Sequence, residues 1–228
     1  MVTRTPAEHL TVDDVLAELD ALEDPKIREV NRRHGNDIGV NLSKLRAIAK
    51  RLKTQHDFAA ELWDTGDPQA RLVAILISSP KKYTAEQLDA MLRDTRVPKV
   101  QDWLINYILK KNPESEDRRI LWMNDVDEDV AAAGWALTSH AVAQGLDNLN
   151  LKELLEEIEE QLQQAPDRLQ WAMNECLATI GIHSAKHRKR AIEIGERLGV
   201  LKDYPTPPNC TSPYAPAWIE EMVSRQKG

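Results

Sequence analysis

The chain has 228 residues, with 30 Lys and Arg against 37 Asp and Glu and a net charge of −7. Its 42% hydrophobic and 29% charged fractions, with 9 glycines and 12 prolines, exclude a disordered, collagenous or low-complexity chain. The longest stretch without a polar side chain, residues 130–137, is far below the ~20 apolar residues of a membrane helix.

In chain order the pattern is helical almost throughout. Asp24-Pro25 and Asp67-Pro68 each place an N-cap acid before Pro at the first helical position. Leu42, Leu45, Ile48, Ala49 and Leu52 form one helical stripe, with Lys44, Arg46, Lys50, Arg51 and Lys53 on the polar side. The helix 41–53 therefore has an apolar back and a basic front. Residues 72–77 have the composition of a strand, but the Asp-Pro start and the helical spacing predict a buried helix. Thr84 with Gln87 reads as a capping box. Pro98 opens a helix predicted to run to Lys111, where Asn112-Pro113 stops it. Asn150 caps 151–164. Pro166 opens 166–180, which Gly181 is expected to end, and Ser184 caps 185–198, ended by Gly199. A Pro-rich stretch, 203–217, precedes a short helix over 217–225. No alternating strand stands out.

These helices are expected to pair antiparallel: 41–53 with 55–64, 67–78 with 84–93, 99–111 with 114–123, 126–143 with 151–164, and 166–180 with 185–198. Pair starts recur at roughly 25–40 residues, near the helical-repeat periods. The fold class predicted is all-α, a helical-repeat α-solenoid, with a globular bundle as the alternative. One structural domain is expected: N-terminal helices in 1–40 packing on the solenoid, repeats over 41–200, and the Pro-rich tail over 201–228.

The charge is uneven. Residues 1–114 are balanced, and 115–228 carry the whole deficit. Within 26–53 nine basic residues face only Glu29 and Asp37. A second basic cluster is Lys186-His187-Arg188-Lys189-Arg190, offset by the acidic run 153–160. An acidic protein still binds a polyanion when its cations share a face, whereas charge runs that do not converge are solvated helix faces. Candidate phosphate contacts are Arg46, Lys50 and Lys53 on the basic helix. Lys81, Lys82, Lys110, Lys111, Lys186, Arg188, Lys189 and Arg190 join them near helix ends or turns. Trp63, Trp122, Trp135 and Trp171 recur at similar places in successive pairs, and packing between pairs is the expected role. His34, His56, His140, His183 and His187 are scattered and complete no metal set. There is no glycine-rich phosphate loop or nucleophile elbow, so no cofactor is expected. Residues 1–11 contain no apolar signal segment, and Cys176 and Cys210 cannot make a disulfide framework. A cytoplasmic protein with two free thiols and no membrane association is expected.

Several of these residues carry a family likeness. Leu42-Ser-Lys-Leu-Arg-Ala-Ile-Ala-Lys50, then Ala60-Glu-Leu-Trp63, then Gln69-Ala-Arg71-Leu-Val-Ala-Ile75, resemble the bacterial DNA alkylation repair (AlkD-like) family in their order. So do Trp171-Ala-Met-Asn174 with Ile180-Gly181, and the tail from Asn209 to Ile219. The resemblance covers residues 35–220 and implies a HEAT-like, armadillo-type superhelix with a basic concave groove on duplex DNA. It also implies hydrolysis of the N-glycosidic bond of cationic alkylated purines. In that reaction an Asp stabilises the sugar cation, tryptophans flank it and an Arg grips a phosphate. Aromatic faces suit a cationic base, and one preorganised carboxylate suits an oxocarbenium-like sugar.

The matching positions depart from this pattern. The family's Trp-rich segment falls on Val100-Gln-Asp-Trp-Leu-Ile-Asn-Tyr107, and the catalytic position on Ile105 or Asn106. Asp102 and Trp103 keep the residue types and are the catalytic candidates, with a first-turn helix acid and a half-buried Trp as the structural alternative. The phosphate-gripping Arg falls near Ala131 to Ala133, and a later Trp near Glu175. The expectation is thus a DNA-binding member of the family, held on the duplex phosphate backbone, with weak or absent glycosylase activity. The alternatives are an active alkylpurine N-glycosylase whose carboxylate has moved to Asp102, or a helical-repeat scaffold for protein partners.

Overall fold

Thirteen α-helices and no strand make up the regular structure among the described residues. The structure, a computed structural model, describes residues 10–146 and 149–226. The chain divides into two compact units, Met1–Asn112 and Pro113–Gly228, with the division at the Asn-Pro stop read from the sequence.

In the first unit α1 is Val12–Ala21, α2 Pro25–Arg32, α3 Leu42–Leu52, α4 His56–Asp64, α5 Pro68–Ile77, α6 Ala85–Asp94 and α7 Pro98–Trp103. The first nine residues of the 1–40 segment lie outside the described residues. The predicted caps form: Asp24 accepts from Lys26 N–H, Asp67 from Gln69 and Ala70 N–H, and Thr84 makes a full capping box with Gln87. Helix α5 is the buried helix expected, with Leu72, Val73, Ala74, Ile75 and Ile77 all inaccessible. It packs against α1, α3, α4 and α7.

A polar strap fixes the start of this unit. Gln69 is buried, and its Oε1 accepts from the N–H groups of Gly39 and Val40 at 3.0 and 2.7 Å. Its Nε2 donates to Glu23 Oε1 at 3.0 Å, and Glu23 pairs with Arg28. Asn36 Oδ1 accepts from Lys99 N–H at 2.7 Å, which satisfies a donor at the first turn of α7 that its N-cap, Val97, leaves without a side-chain acceptor. Backbone donors buried in this way cost free energy when left unpaired, so Gln69 and Asn36 hold residues 36–40 to α5 and α7.

In the second unit α8 is Glu114–Met123, α9 Glu128–Gln144, α10 Leu151–Gln161, α11 Asp167–His183, α12 Arg188–Leu198 and α13 Ala215–Arg225. Helix α9 lies against α8 and α11. The close approach to α8 is made by the small-residue run Ala131-Ala132-Ala133-Gly134. A Cβ at Gly134 would collide with the backbone of Met123 and Trp122. Polar ties lock the same contacts. The buried Arg119 donates to Thr138 Oγ1 at 3.1 Å, and Ser139 and Thr179 hydroxyls are 2.8 Å apart. The core beneath is built on Trp135, Leu155, Ile158, Met173, Leu177, Ile194 and Ile219.

Four local expectations need correction. First, Gly181 does not end a helix; α11 continues to His183. Gly181 is there because Ile219 of α13 presses on it, its Cγ1 only 2.8 Å from where a Cβ would stand. Second, Ser184 does not cap 185–198. The segment 185–187 is a turn, α12 begins at Arg188, and Ser184 Oγ instead meets His187 Nδ1 at 2.9 Å. Third, the expected pairing holds only in part: α11 packs with α12 as expected, but α5 packs with α4 and α3, and α9 with α8 and α11. Short turns marked the hairpins, but the sites of closest approach, set by residues such as Gly134, decide the partners. Fourth, Trp63, Trp122 and Trp135 are buried as expected, whereas Trp171 is 39% exposed and stands edge-on to Tyr204 with ring centres 5.2 Å apart. The Pro-rich tail is docked: Asn174 Nδ2 donates to Pro213 O at 2.8 Å, and Ala215, Pro216 and Ile219 are buried.

Candidate nucleic-acid interface

Helix α3 buries Leu45, Ile48 and Leu52, and so turns Arg46, Lys50 and Lys53 outward, all exposed. Arg51 on the same helix is neutralised by Glu18 of α1. Arg46, Lys50 and Lys53 have no carboxylate partner among the described residues. The Arg46 guanidinium lies instead over the indole of Trp103, 4.7 Å from the ring centre. Trp103 is itself only 6% exposed, whereas the arginine stacked on it is exposed.

The pattern continues along the next helix. Trp103 and Tyr107 are edge to face with centres 5.4 Å apart, and Lys111 Nζ lies 5.3 Å from the Tyr107 ring centre. Lys110 Nζ donates to Asn106 Oδ1 at 2.9 Å, and Asn106 Nδ2 donates to Asp102 O at 2.8 Å. Three cations are therefore held in place by an indole, a phenol and an amide. None of these partners is a carboxylate, so none cancels their charge.

The helix predicted over 98–111 is not uniform. After α7 it widens into a π turn over Leu104–Ile108 and tightens into a 3₁₀ turn over Leu109–Lys111. π turns frequently mark functional sites, and this one spans the positions where the resemblance puts the catalytic carboxylate. Ile105 is buried and Asn106 is exposed, and neither can carry the negative charge that the sugar cation needs. Asp102 is half-buried, just before Trp103.

Lys81 and Lys82 belong to the 3₁₀ turn Pro80–Lys82. Asn112 ties this turn to the end of the 98–111 segment, since its Nδ2 donates to Pro80 O at 2.7 Å and Tyr83 O at 2.9 Å. The two lysine pairs therefore lie at adjoining turns. Gln55 N–H donates to Ile77 O at 2.8 Å, which brings the end of α3, and with it Lys53, to the end of α5 just before the same turn. The first unit thus has Lys53, Lys81, Lys82, Lys110 and Lys111 at tied helix ends and turns, and Arg46 farther back on α3 against Trp103.

The second unit treats its cations differently. Arg188 donates to Gly181 O and Ile182 O at 2.8 and 3.0 Å and so caps the end of α11. Arg190 and Arg197 both pair with Glu159, and Lys189 lies 3.8 Å from Glu193. Lys186 is exposed. Ala131, Ala132 and Ala133, where the resemblance puts a phosphate-gripping Arg, are buried in the α8–α9 contact.

Tyr107, Asn106 and Asn112 hold the lysines and their turns in place, a role not expected from the sequence. A signal for the first two was present: Trp103, Tyr107 and Lys111 recur at four-residue spacing, as do Asn106 and Lys110, the spacing at which helical side chains meet. The Arg46–Trp103 stack joins residues far apart in the chain and left no such trace. Among the described residues no group of three or more His, Cys, Asp or Glu side chains could hold a metal ion. No helix is long and apolar enough to cross a membrane.

A family model described as DNA alkylation repair enzyme matches residues 15–219. This chain belongs to the DNA alkylation repair family. Its relatives include the uncharacterized protein Lin0241 of Listeria innocua serovar 6a. It is 26% identical over 229 aligned positions, spanning 95% of this chain and 99% of that one. The uncharacterized protein Lmo0209 of Listeria monocytogenes serovar 1/2a is 25% identical over 231 positions, spanning 96% and 100%. A solved structure described as "a new family of proteins related to the HEAT-like repeat DNA glycosylases with affinity for branched DNA structures" superposes with a TM-score of 0.78 at 22% identity. It covers 95% of both chains. The chain therefore has the HEAT-like all-α fold expected from its sequence.

Proposed function

We propose that the chain binds DNA through the phosphate backbone and releases alkylated purines weakly or not at all. One observation carries the reading: Arg46, Lys110 and Lys111 are held by neutral partners, and Lys50, Lys53, Lys81 and Lys82 have no carboxylate partner among the described residues. Cations prepared in this way gain from releasing the counterions of a phosphate chain and carry no base preference of their own. Lys186, Arg188, Lys189 and Arg190 add less, because all but Lys186 already serve a carboxylate or a helix end. The absence of a carboxylate at Ile105 and Asn106 supports weak base release. The neighbour with affinity for branched DNA makes a four-way junction the natural companion to duplex in any test. A cytoplasmic location goes with this reading.

The test is binding of labelled duplex and four-way-junction DNA across a salt series, with release of methylated purine from alkylated duplex measured alongside. Affinity is expected to fall about 10- to 1,000-fold between ~50 and ~200 mM salt, with no methylpurine released above the uncatalysed rate. Binding that is absent or insensitive to salt would leave a protein scaffold as the reading. Release abolished by Asp102→Asn would make the chain an active glycosylase with Asp102 as its carboxylate.

A further inference from the structure

Among the described residues of the first unit, two arginine–tryptophan stacks differ in a way that matters. Arg71 lies 4.7 Å from the Trp63 ring centre, but its side chain is 11% exposed, its Nε donates to Trp63 O at 3.1 Å, and Asp94 pairs with it. That stack is packing. Arg46 lies at the same 4.7 Å from Trp103, yet it is exposed and has no carboxylate partner among the described residues. Its charge is unspent, and it occupies one face of the ring while remaining exposed itself.

We infer that Arg46 is a specificity-determining residue that reserves the Trp103 face against cationic bases. The face of an indole is the part of a protein best suited to a cationic ring, through the negative face of its π-system. Alkylation at a ring nitrogen makes a purine such a cation. Here the guanidinium already occupies the position a cationic purine would take, and Lys111 over Tyr107 repeats the arrangement on the adjacent ring. A second cation at this place meets like charge and a filled face, whereas a phosphate oxygen meets a fork of N–H donors whose plane the indole has already fixed. A face that would accept a cation becomes one that accepts an anion. The inference deepens the nucleic-acid reading by naming what this face refuses. Its test reads Trp103 itself, so it can fail while DNA binding stands.

The test uses the full chain labelled with 5-fluorotryptophan. Its six tryptophans give six fluorine resonances, and that of Trp103 is identified by its loss in Trp103→Phe. Each protein is titrated at pH 6 with 7-methylguanosine, a cationic purine nucleoside, and with neutral guanosine. In the unmodified chain neither nucleoside is expected to move the Trp103 resonance at millimolar concentration. In Arg46→Ala, 7-methylguanosine is expected to move it at a concentration at least fivefold lower than guanosine requires. Arg46→Lys, which restores a cation, is expected to return the unmodified behaviour. The inference is overturned if the unmodified chain responds to 7-methylguanosine as Arg46→Ala does. It is equally overturned if Arg46→Ala responds to neither nucleoside or to both alike, or if Arg46→Lys behaves as Arg46→Ala. The other five resonances, unshifted between proteins, report that the fold is retained.

Discussion

Reversing Arg46 and Lys50 together, R46E/K50E, is expected to weaken DNA binding on the order of 100-fold at ~0.1 M salt and to lower the slope of log affinity against log salt by about two. Both side chains project from the solvent face of α3, and neither serves a carboxylate, so their charge is available to phosphate. Each phosphate neutralised contributes about 0.9 to that slope, so the loss of two contacts predicts both numbers at once. The substitutions leave the buried stripe of Leu45, Ile48 and Leu52 untouched, and helicity should be unchanged. The matching control is K189A/R190A in the second unit, where Glu193 and Glu159 already compensate the removed charges. That pair is expected to change affinity by less than threefold. Fluorescence anisotropy of a labelled duplex over a salt series measures all of this. Equal losses from the two pairs would show that charge is read globally rather than at the α3 face.

Gly134→Ala is expected to be the most damaging single methyl group in the molecule, costing about 3 kcal/mol or more. The new Cβ would meet the backbone nitrogen and Cα of Met123 and the carbonyl carbon of Trp122. Main chain, unlike the end of a flexible side chain, cannot swing aside. The helices α8 and α9 would have to part, and with them the Arg119–Thr138 bond and the burial of Trp122 and Trp135. Gly145→Ala separates this from a general effect of losing glycine. Gly145 has φ +69 and nothing within 4 Å of a Cβ, so only backbone strain of about 1 kcal/mol applies. Urea unfolding followed by circular dichroism compares the two variants. A Gly134→Ala protein as stable as Gly145→Ala would mean that the α8–α9 contact is looser than described.

The parts of the fold that were legible are those written in short stretches of chain. Asp24-Pro25, Asp67-Pro68, Thr84 with Gln87, and Asn112-Pro113 each state a local backbone condition, and each acts where expected. The apolar stripe of α3 likewise fixed which cations face solvent. The misreadings have one physical origin, that a residue type can serve local geometry or distant packing. Gly181 has the look of a helix terminator but makes room for Ile219. Arg188 has the look of a phosphate ligand but closes the end of α11. The π turn at 104–108 has no composition of its own, and the Arg46–Trp103 stack depends on α3 and α7 meeting in space. The resemblance pointed to the segment; only tertiary structure shows that an arginine stacks on its tryptophan.

The two thiols live in unlike surroundings. Cys176 is completely enclosed, and burial pushes its thiol well above the usual range, so it is neither reachable nor ionised near neutrality. Cys210 is exposed on the Pro-rich tail. A maleimide dye offered to the folded protein should therefore attach once, at Cys210, without any engineered cysteine. The native chain comes supplied with a single handle for tethering or for fluorescence, located outside the α3 and 98–111 residues proposed to meet DNA.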